Sequence, residues 1–201
     1  RENFSSLRQQ GGLSGYLKQN ESIHDIIEAG HTSTSISSAL GLALARDNKE
    51  NDERIYAVIG DGAMTGGMAF EALNHAGHLQ RDIKVILNDN EMSISPNIGA
   101  LSHYLSNIRT DPTVSRLKKD LEFLINHIPK IGPSVSKTVA RVKKGLKYVF
   151  ISGVLFEEMG FTYIGPLDGH NLDELRNNFE KADRIAGPVL IHVNTTKGKG
   201  Y

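Results

Sequence analysis

The sequence contains no cysteine, and this absence removes two classes of protein at once. Without cysteine there is no disulfide framework and no cysteine-based zinc site. The eight histidines are scattered, and none stands in the His-Glu-x-x-His spacing of zinc proteases. Lys plus Arg and Asp plus Glu both number 23, so the formal net charge is zero. A balanced charge argues against general affinity for nucleic acid or for a membrane surface.

Long hydrophobic runs are missing as well. No apolar stretch approaches the ~20 residues that a membrane-spanning helix needs, and no signal peptide is visible. With 39 % hydrophobic and 23 % charged residues over 201 positions, the composition is that of an ordinary globular domain with a substantial core.

Short apolar runs alternate with helical patterns along the chain, which predicts an α/β fold. Such runs are typical of strands that are covered on both faces. We expect a mostly parallel sheet with helices on both faces, formed by all of residues 1–201 as one domain. The strands are predicted at "IYAVI" (55–59), "IKVIL" (83–87), "FTYI" (161–164) and "VLIHV" (189–193). Residues 105–150 add an amphipathic helical segment.

Polar residues follow two of these predicted strands. Asp61 comes just after 55–59, and Asn88, Asp89 and Asn90 come just after 83–87. Ligands of parallel α/β sheets bind beyond the carboxyl ends of the strands, so these side chains could share a cation. A carboxylate and an amide oxygen, without sulfur or histidine, favour Mg²⁺ or Ca²⁺ over zinc. The turn at Gly62 leads towards a helix start, whose free N–H groups suit an anion such as a diphosphate.

The glycine pattern around Asp61 matches neither of two common phosphate-binding motifs. It is not G-x-x-x-x-G-K-[ST], and Thr65 stands where G-x-G-x-x-G requires glycine. Gly-Asp-Gly alone is a common turn, so a purely structural role for Asp61 is the alternative. The Asn-Asp-Asn group after the next strand favours the cation site over that alternative.

Five blocks of the sequence, in order, resemble the 1-deoxy-D-xylulose-5-phosphate synthase family of thiamine-diphosphate enzymes. They are "GHTSTSISSALGLALARD", "GDGAMTGGMAFEALNHAG", "ILNDNEMSISPNIGALS", "LFEEMGFTYIGPLDGHN" and "TTKGKGY". The resemblance implies a thiamine-diphosphate-binding fold and a transferase of the transketolase type. The implied reaction, dependent on thiamine diphosphate and Mg²⁺, joins pyruvate to glyceraldehyde 3-phosphate with loss of CO₂. Its product is a precursor of isoprenoids, thiamine and pyridoxal.

The resemblance also implies roles for individual residues. The metal ligands that it implies are Asp61, the Asn90 amide and the backbone carbonyl of Met92. The cofactor-binding residues that it implies are Gly30, His31, Thr32, Gly62, Ala63, Asn90 and Tyr201. At Thr32 the family usually has serine, and the hydroxyl group is retained. Arg8 is a candidate contact to the phosphate or carboxylate of a substrate.

No residue of the chain is assigned a catalytic role by the resemblance. His170 is left out because Asp168-Gly169 is typical of a turn before a helix cap at Asn171. The chain begins at Arg1, and we expect an excerpt of a larger enzyme without its pyrimidine-binding and C-terminal domains, inactive alone. The resemblance suggests a homodimer in the bacterial cytoplasm, with a plastid location left open. Neither nucleic acid nor a membrane is an expected partner.

Three other functions stay open at this point. The chain could belong to another thiamine-diphosphate enzyme such as a transketolase. It could be a binding or regulatory module without catalysis. It could also be an α/β domain whose metal is structural, or which holds none.

Overall fold

A computed structural model describes residues 2–93, 95–110 and 153–201, and its centre is a four-stranded sheet. All neighbouring strands pair in parallel, in the order β1-β2-β4-β3. The strands are β1 (Tyr56–Gly60), β2 (Lys84–Asp89), β3 (Thr162–Asp168) and β4 (Val189–Asn194). Each predicted strand is present, within a few residues of its expected ends. The side chains of β2 and β4 are mostly buried, whereas Val58 of the edge strand β1 is 61 % exposed.

Helices connect the strands and cover the sheet. They are α1 (Ser35–Asn48), α2 (Asp61–Met64), α3 (Gly67–Leu79), α4 (Ala100–Thr110), α5 (Val154–Glu158) and α6 (Leu172–Asp183), and a short 3₁₀ helix spans Glu2–Ser6. The helix predicted at 65–77 is α3, and the one-turn helix α2 precedes it. Asn171 caps α6 as its sequence indicates, since its Oδ1 accepts the Glu174 N–H at 3.1 Å.

Two hydrophobic clusters lie on opposite faces of the sheet. The larger joins residues of α1, α3, α4 and α5 to the strands, with Ile36, Leu73 and Phe156 almost fully buried. The smaller packs α6 on the other face through Ala182, against Val189, Ile191 and Val193 of β4. The prediction of a parallel sheet with helices on both faces is therefore confirmed.

The predicted end of the second strand was wrong. Asn88 and Asp89 were expected just past the strand, but both belong to β2. Asn88 pairs with both neighbouring strands, opposite Gly60 of β1 and Val193 of β4, and Asp89 pairs with Asn194 of β4. Those backbone hydrogen bonds outweigh the low strand propensity of the two side chains. Asn90 is the first residue beyond the strand.

The predicted helical segment 105–150 can be assessed only at its start. Residues 105–110 belong to α4, and residues 111–150 lie outside the described residues. None of the helices in the described part combines the length and apolar character needed to cross a membrane.

Candidate cation and diphosphate site

Asp61 is the first residue of α2 and follows β1 directly. Its side chain is buried, with 4 % of its surface exposed. The Asn97 side chain donates from Nδ2 to Asp61 Oδ2 at 2.6 Å. Within residues 2–93, 95–110 and 153–201, no Lys, Arg or His side chain forms an ion pair with this carboxylate.

The second buried carboxylate, Asp89, ends β2 beside Asp61. Burial alone would raise the pKa of Asp89, but the hydrogen bond from His192 and the Glu91 N–H hold that pKa below its usual range. His192 Nε2 lies 2.9 Å from Asp89 Oδ2, and its Nδ1 lies 2.8 Å from the Tyr163 hydroxyl. Asp89 therefore carries a negative charge that is fixed in place.

Burial and the negative charge of Asp89 both shift the pKa of the neighbouring Asp61 carboxyl. Burial raises the pKa of the Asp61 carboxyl, and the negative charge of Asp89 raises it further. The backbone N–H groups of Gly62 and Asn90 act in the opposite direction, because they donate to the charged carboxylate. Two acidic groups thus share a region from which water is largely excluded, and a divalent cation would neutralise both.

The loop after β2 brings Asn90 and Met92 to this edge of the sheet. Glu91, between them, has φ 60°, in the left-handed region. The Asn90 Oδ1 accepts the Met92 N–H at 3.0 Å, and Met92 forms an isolated antiparallel bridge with Pro96. An amide oxygen has two lone pairs, so Asn90 keeps one for a cation.

The turn at Gly62 is in close contact with that loop. A Cβ at Gly62 would lie 2.9 Å from the Ser93 Cβ and 3.1 Å from the Asn97 Oδ1, so no larger side chain fits without displacement. Beside it, the Ala63 carbonyl accepts the Ser33 hydroxyl at 2.7 Å. The two segments predicted to hold cation and diphosphate are therefore packed together.

The predicted cofactor residues Gly30, His31 and Thr32 are exposed, and they precede Ser33 in the loop before α1. Because the Ser33 hydroxyl donates a hydrogen bond to the Ala63 carbonyl, this loop is held against the Gly62 turn. Ser33 itself has φ 69°, a left-handed conformation that serine seldom adopts. The structure therefore brings this segment alongside the turn, with the side chains open to solvent.

Two other predicted residues lie apart from this cluster. The Arg8 guanidinium is 5.8 Å from the centre of the Tyr16 ring, in the exposed segment before α1. Tyr201 is fully exposed, and its backbone N–H donates to the Gly198 carbonyl. Their roles stay predictions. The same final segment reaches the loop after β2 through Lys197, whose Nζ donates to the Ser93 carbonyl at 2.9 Å.

Some residues of the site are visible only in three dimensions. Asn97, His192 and Tyr163 were not predicted as site residues. The position of His192 inside the apolar run "VLIHV" is a signal, since a polar residue buried in such a strand requires a hydrogen-bond partner. His170, which was left out of the site, accepts the Thr196 N–H at its Nε2 and has a structural contact there.

The donor set fits a hard cation. No group of three or more His, Cys, Asp or Glu side chains arranged for a metal occurs in the described segments. A cation here would use one carboxylate, one amide and backbone carbonyls, together with oxygens from a ligand or water. Mg²⁺ is commonly held in this way, by few protein groups.

Comparison with solved structures identifies the fold. The chain is similar to transketolase from Campylobacter jejuni, with a TM-score of 0.64 and 21 % identity over 99 % of this chain and 25 % of that one. Transketolase from Leishmania mexicana gives a TM-score of 0.60 and 21 % identity, covering 97 % of this chain and 24 % of that one. At this identity the likeness shows the fold, which is that of the transketolases.

Comparison of sequences is more specific. The chain is 72 % identical over its whole length to 1-deoxy-D-xylulose-5-phosphate synthase from Halothermothrix orenii, and 62 % identical to that from Alkaliphilus oremlandii. It spans 32 % of each of these relatives, about a third of their length. Residues 1–195 match the family described as 1-deoxy-D-xylulose-5-phosphate synthase. The chain therefore belongs to the 1-deoxy-D-xylulose-5-phosphate synthase family.

Proposed function

We propose that this chain provides the cofactor diphosphate site and the Mg²⁺ site of a thiamine-diphosphate-dependent synthase. The complete protein would join pyruvate to glyceraldehyde 3-phosphate, with loss of CO₂, to give 1-deoxy-D-xylulose 5-phosphate. That product would feed the biosynthesis of isoprenoids, thiamine and pyridoxal. The protein would act as a homodimer in the bacterial cytoplasm, and its pyrimidine-binding domain would lie outside these 201 residues.

One observation carries the proposal. Asp61 and Asp89 are buried side by side at the carboxyl end of the sheet, and Asp61 has no cationic side chain as partner in the described part of the chain. Buried charge without compensation is costly, so such a pair calls for a cation. Family membership supports the choice of Mg²⁺ with thiamine diphosphate.

Each residue would have a limited task. The Asp61 carboxylate, the Asn90 amide and the Met92 carbonyl would hold Mg²⁺, and the turn at Gly62 and Ala63 would receive the diphosphate. Bound thiamine diphosphate supplies the nucleophilic carbon of the reaction. The chain's own residues bind and orient that group, and none of them is assigned a proton transfer.

Calorimetric titration of thiamine diphosphate into the full-length protein tests the proposal. With Mg²⁺ present we expect binding at one site per chain, and with EDTA we expect binding to be lost. Asp61→Ala should abolish the Mg²⁺-dependent binding and leave the circular dichroism spectrum unchanged. Asp52→Ala is the matched control, because Asp52 is exposed and precedes β1 at the opposite end of that strand.

The outcomes separate the alternatives. Binding that is equally strong with EDTA, or unchanged in a folded Asp61→Ala variant, contradicts the cation site. Substrate profiling then decides between enzymes. The proposed synthase consumes pyruvate with an aldehyde phosphate, whereas a transketolase requires a ketose donor. A protein that binds the cofactor and turns over neither pair would be a binding module.

A further inference from the structure

A buried chain of hydrogen bonds crosses the sheet beneath the candidate cation site. It joins three side chains from three neighbouring strands: Asp89 of β2, His192 of β4 and Tyr163 of β3. His192 is fully buried and Asp89 is 1 % exposed. Tyr163 is half-buried, and its ring is stacked on Phe156 with ring centroids 6.0 Å apart, so the far end of the chain packs against the hydrophobic core.

The direction of these hydrogen bonds follows from the chemistry of the groups. A carboxylate can only accept, so the His192 Nε2 carries the hydrogen towards Asp89 Oδ2. In a ring that carries its single hydrogen on Nε2, the Nδ1 accepts the hydrogen of the Tyr163 hydroxyl, which lies 2.8 Å away. Both links run from the core towards the carboxylate, and each orients the next group.

Asp89 in turn forms a hydrogen bond to the loop that carries Asn90 and Met92. Its Oδ1 accepts the Glu91 N–H at 3.1 Å, and its backbone carbonyl accepts the Thr195 N–H at 2.8 Å. Glu91 is the left-handed residue at which the loop turns away from β2. The orientation of the Asp89 carboxylate therefore determines where the turn begins.

We propose that His192 and Tyr163 are positioning residues for the cation site. Acting through Asp89, they fix the turn at Glu91 that presents Asn90 and Met92 to the cation. This inference rests on the proposed function. A role in stability alone explains the three polar groups poorly, because buried polar clusters can often be replaced by apolar side chains at little cost.

Binding of Mn²⁺, followed by electron paramagnetic resonance in the presence of thiamine diphosphate, tests the inference on the metal-free full-length protein. We expect His192→Phe to weaken Mn²⁺ binding by about 10- to 100-fold, the range for lost outer-shell partners of metal ligands. Tyr163→Phe, which removes only the terminal hydroxyl, should weaken binding by roughly 3- to 10-fold. His192→Gln, which can still donate to Asp89, should recover part of the loss.

Tyr104→Phe is the matched control. Tyr104 belongs to the same aromatic cluster, with its ring 6.3 Å from Phe156, and its hydroxyl accepts the Leu155 N–H instead of reaching Asp89. We expect this variant to bind Mn²⁺ as the wild type does, whatever the change in its melting temperature. Equal losses of Mn²⁺ affinity in Tyr104→Phe and Tyr163→Phe would overturn the inference.

Failure of the inference and failure of the proposed function give different results. Suppose that the wild type binds Mn²⁺, that Asp61→Ala does not, and that folded Tyr163→Phe keeps wild-type affinity. The positioning role of Tyr163 is then contradicted, and the proposed cation site is supported. If the wild type binds no Mn²⁺ in the presence of thiamine diphosphate, both the positioning role and the proposed cation site are contradicted. Should His192→Phe fail to fold, Tyr163→Phe against Tyr104→Phe still decides the question.

Discussion

The side-chain amide of Asn97 lies 2.6 Å from the Asp61 carboxylate, although the two residues are 36 positions apart in the sequence. Asp61 starts the helical turn after β1, and Asn97 lies at the far end of the loop after β2. Their contact closes this loop over the turn at Gly62, where an added Cβ would lie 3.1 Å from the Asn97 Oδ1. One hydrogen bond thus joins the two segments that share the site.

Asn97→Ala is expected to weaken Mn²⁺ binding about tenfold. The substitution removes a hydrogen bond to a charged group, which contributes about 1.5–3 kcal/mol, and tenfold corresponds to about 1.4 kcal/mol. Titration of Mn²⁺ with thiamine diphosphate present measures the effect. Asn178→Ala serves as control, because Asn178 is also half-buried and donates to the Glu174 carbonyl within α6. Similar losses in both variants would contradict a specific role for Asn97.

Asp61→Asn is expected to have opposite effects on stability and on binding. Burial and the charge of Asp89 raise the pKa of Asp61, so its negative charge destabilises the metal-free fold near neutral pH. The neutral amide keeps the shape and can still accept from Asn97. We therefore expect a higher melting temperature without metal, and Mn²⁺ affinity at least about tenfold lower. A melting temperature that falls without metal would contradict the repulsion between the two carboxylates.

Acidification is expected to weaken cation binding at a higher pH than for an ordinary aspartate. The pKa of Asp61 is raised, so this carboxyl takes up a proton earlier as the pH falls, and the protonated group no longer binds a cation well. In the metal-free protein, by contrast, protonation of Asp61 at lower pH stabilises the fold. The contribution of Asp61 to stability is fully present below the unfolded pKa and is lost as the pH rises through the folded pKa. Mn²⁺ titrations and thermal melts from about pH 3.5, below the ordinary aspartate pKa of about 3.9, to about pH 8 measure both trends.

Gly62→Ala is expected to lower the affinity for thiamine diphosphate while the fold is retained. The new methyl group would meet the Ser93 Cβ at 2.9 Å and displace the loop after β2. Gly41→Ala, inside α1, is the control, because nothing lies within 4 Å of its added Cβ. Alanine there should raise stability by up to about 1 kcal/mol through its helix propensity. Calorimetry and thermal melts on both variants separate a local displacement from a general loss of stability.

The sequence alone predicted the architecture well, since the strands and helices are signalled by local patterns. The alternation of apolar runs with helical periods depends only on neighbouring residues, and it placed β1, β2, β3 and β4 close to their observed positions. It also placed Asp61 and Asn90 at one edge of the sheet, because parallel strands end on the same side. The end of β2 was misjudged, since Asn88 and Asp89 are held in the strand by partners far away in the chain.

What the sequence by itself determined was the fold class, the pairing of an acid with an amide at the sheet edge, and the resemblance to one family. Only the tertiary structure decided which groups support that edge. Asn97 reaches Asp61, and Tyr163 reaches Asp89 through His192, across separations of 36, 29 and 103 positions. Such contacts depend on strand order and register. Both are set by the packing of the whole sheet, and no local pattern of residues encodes them.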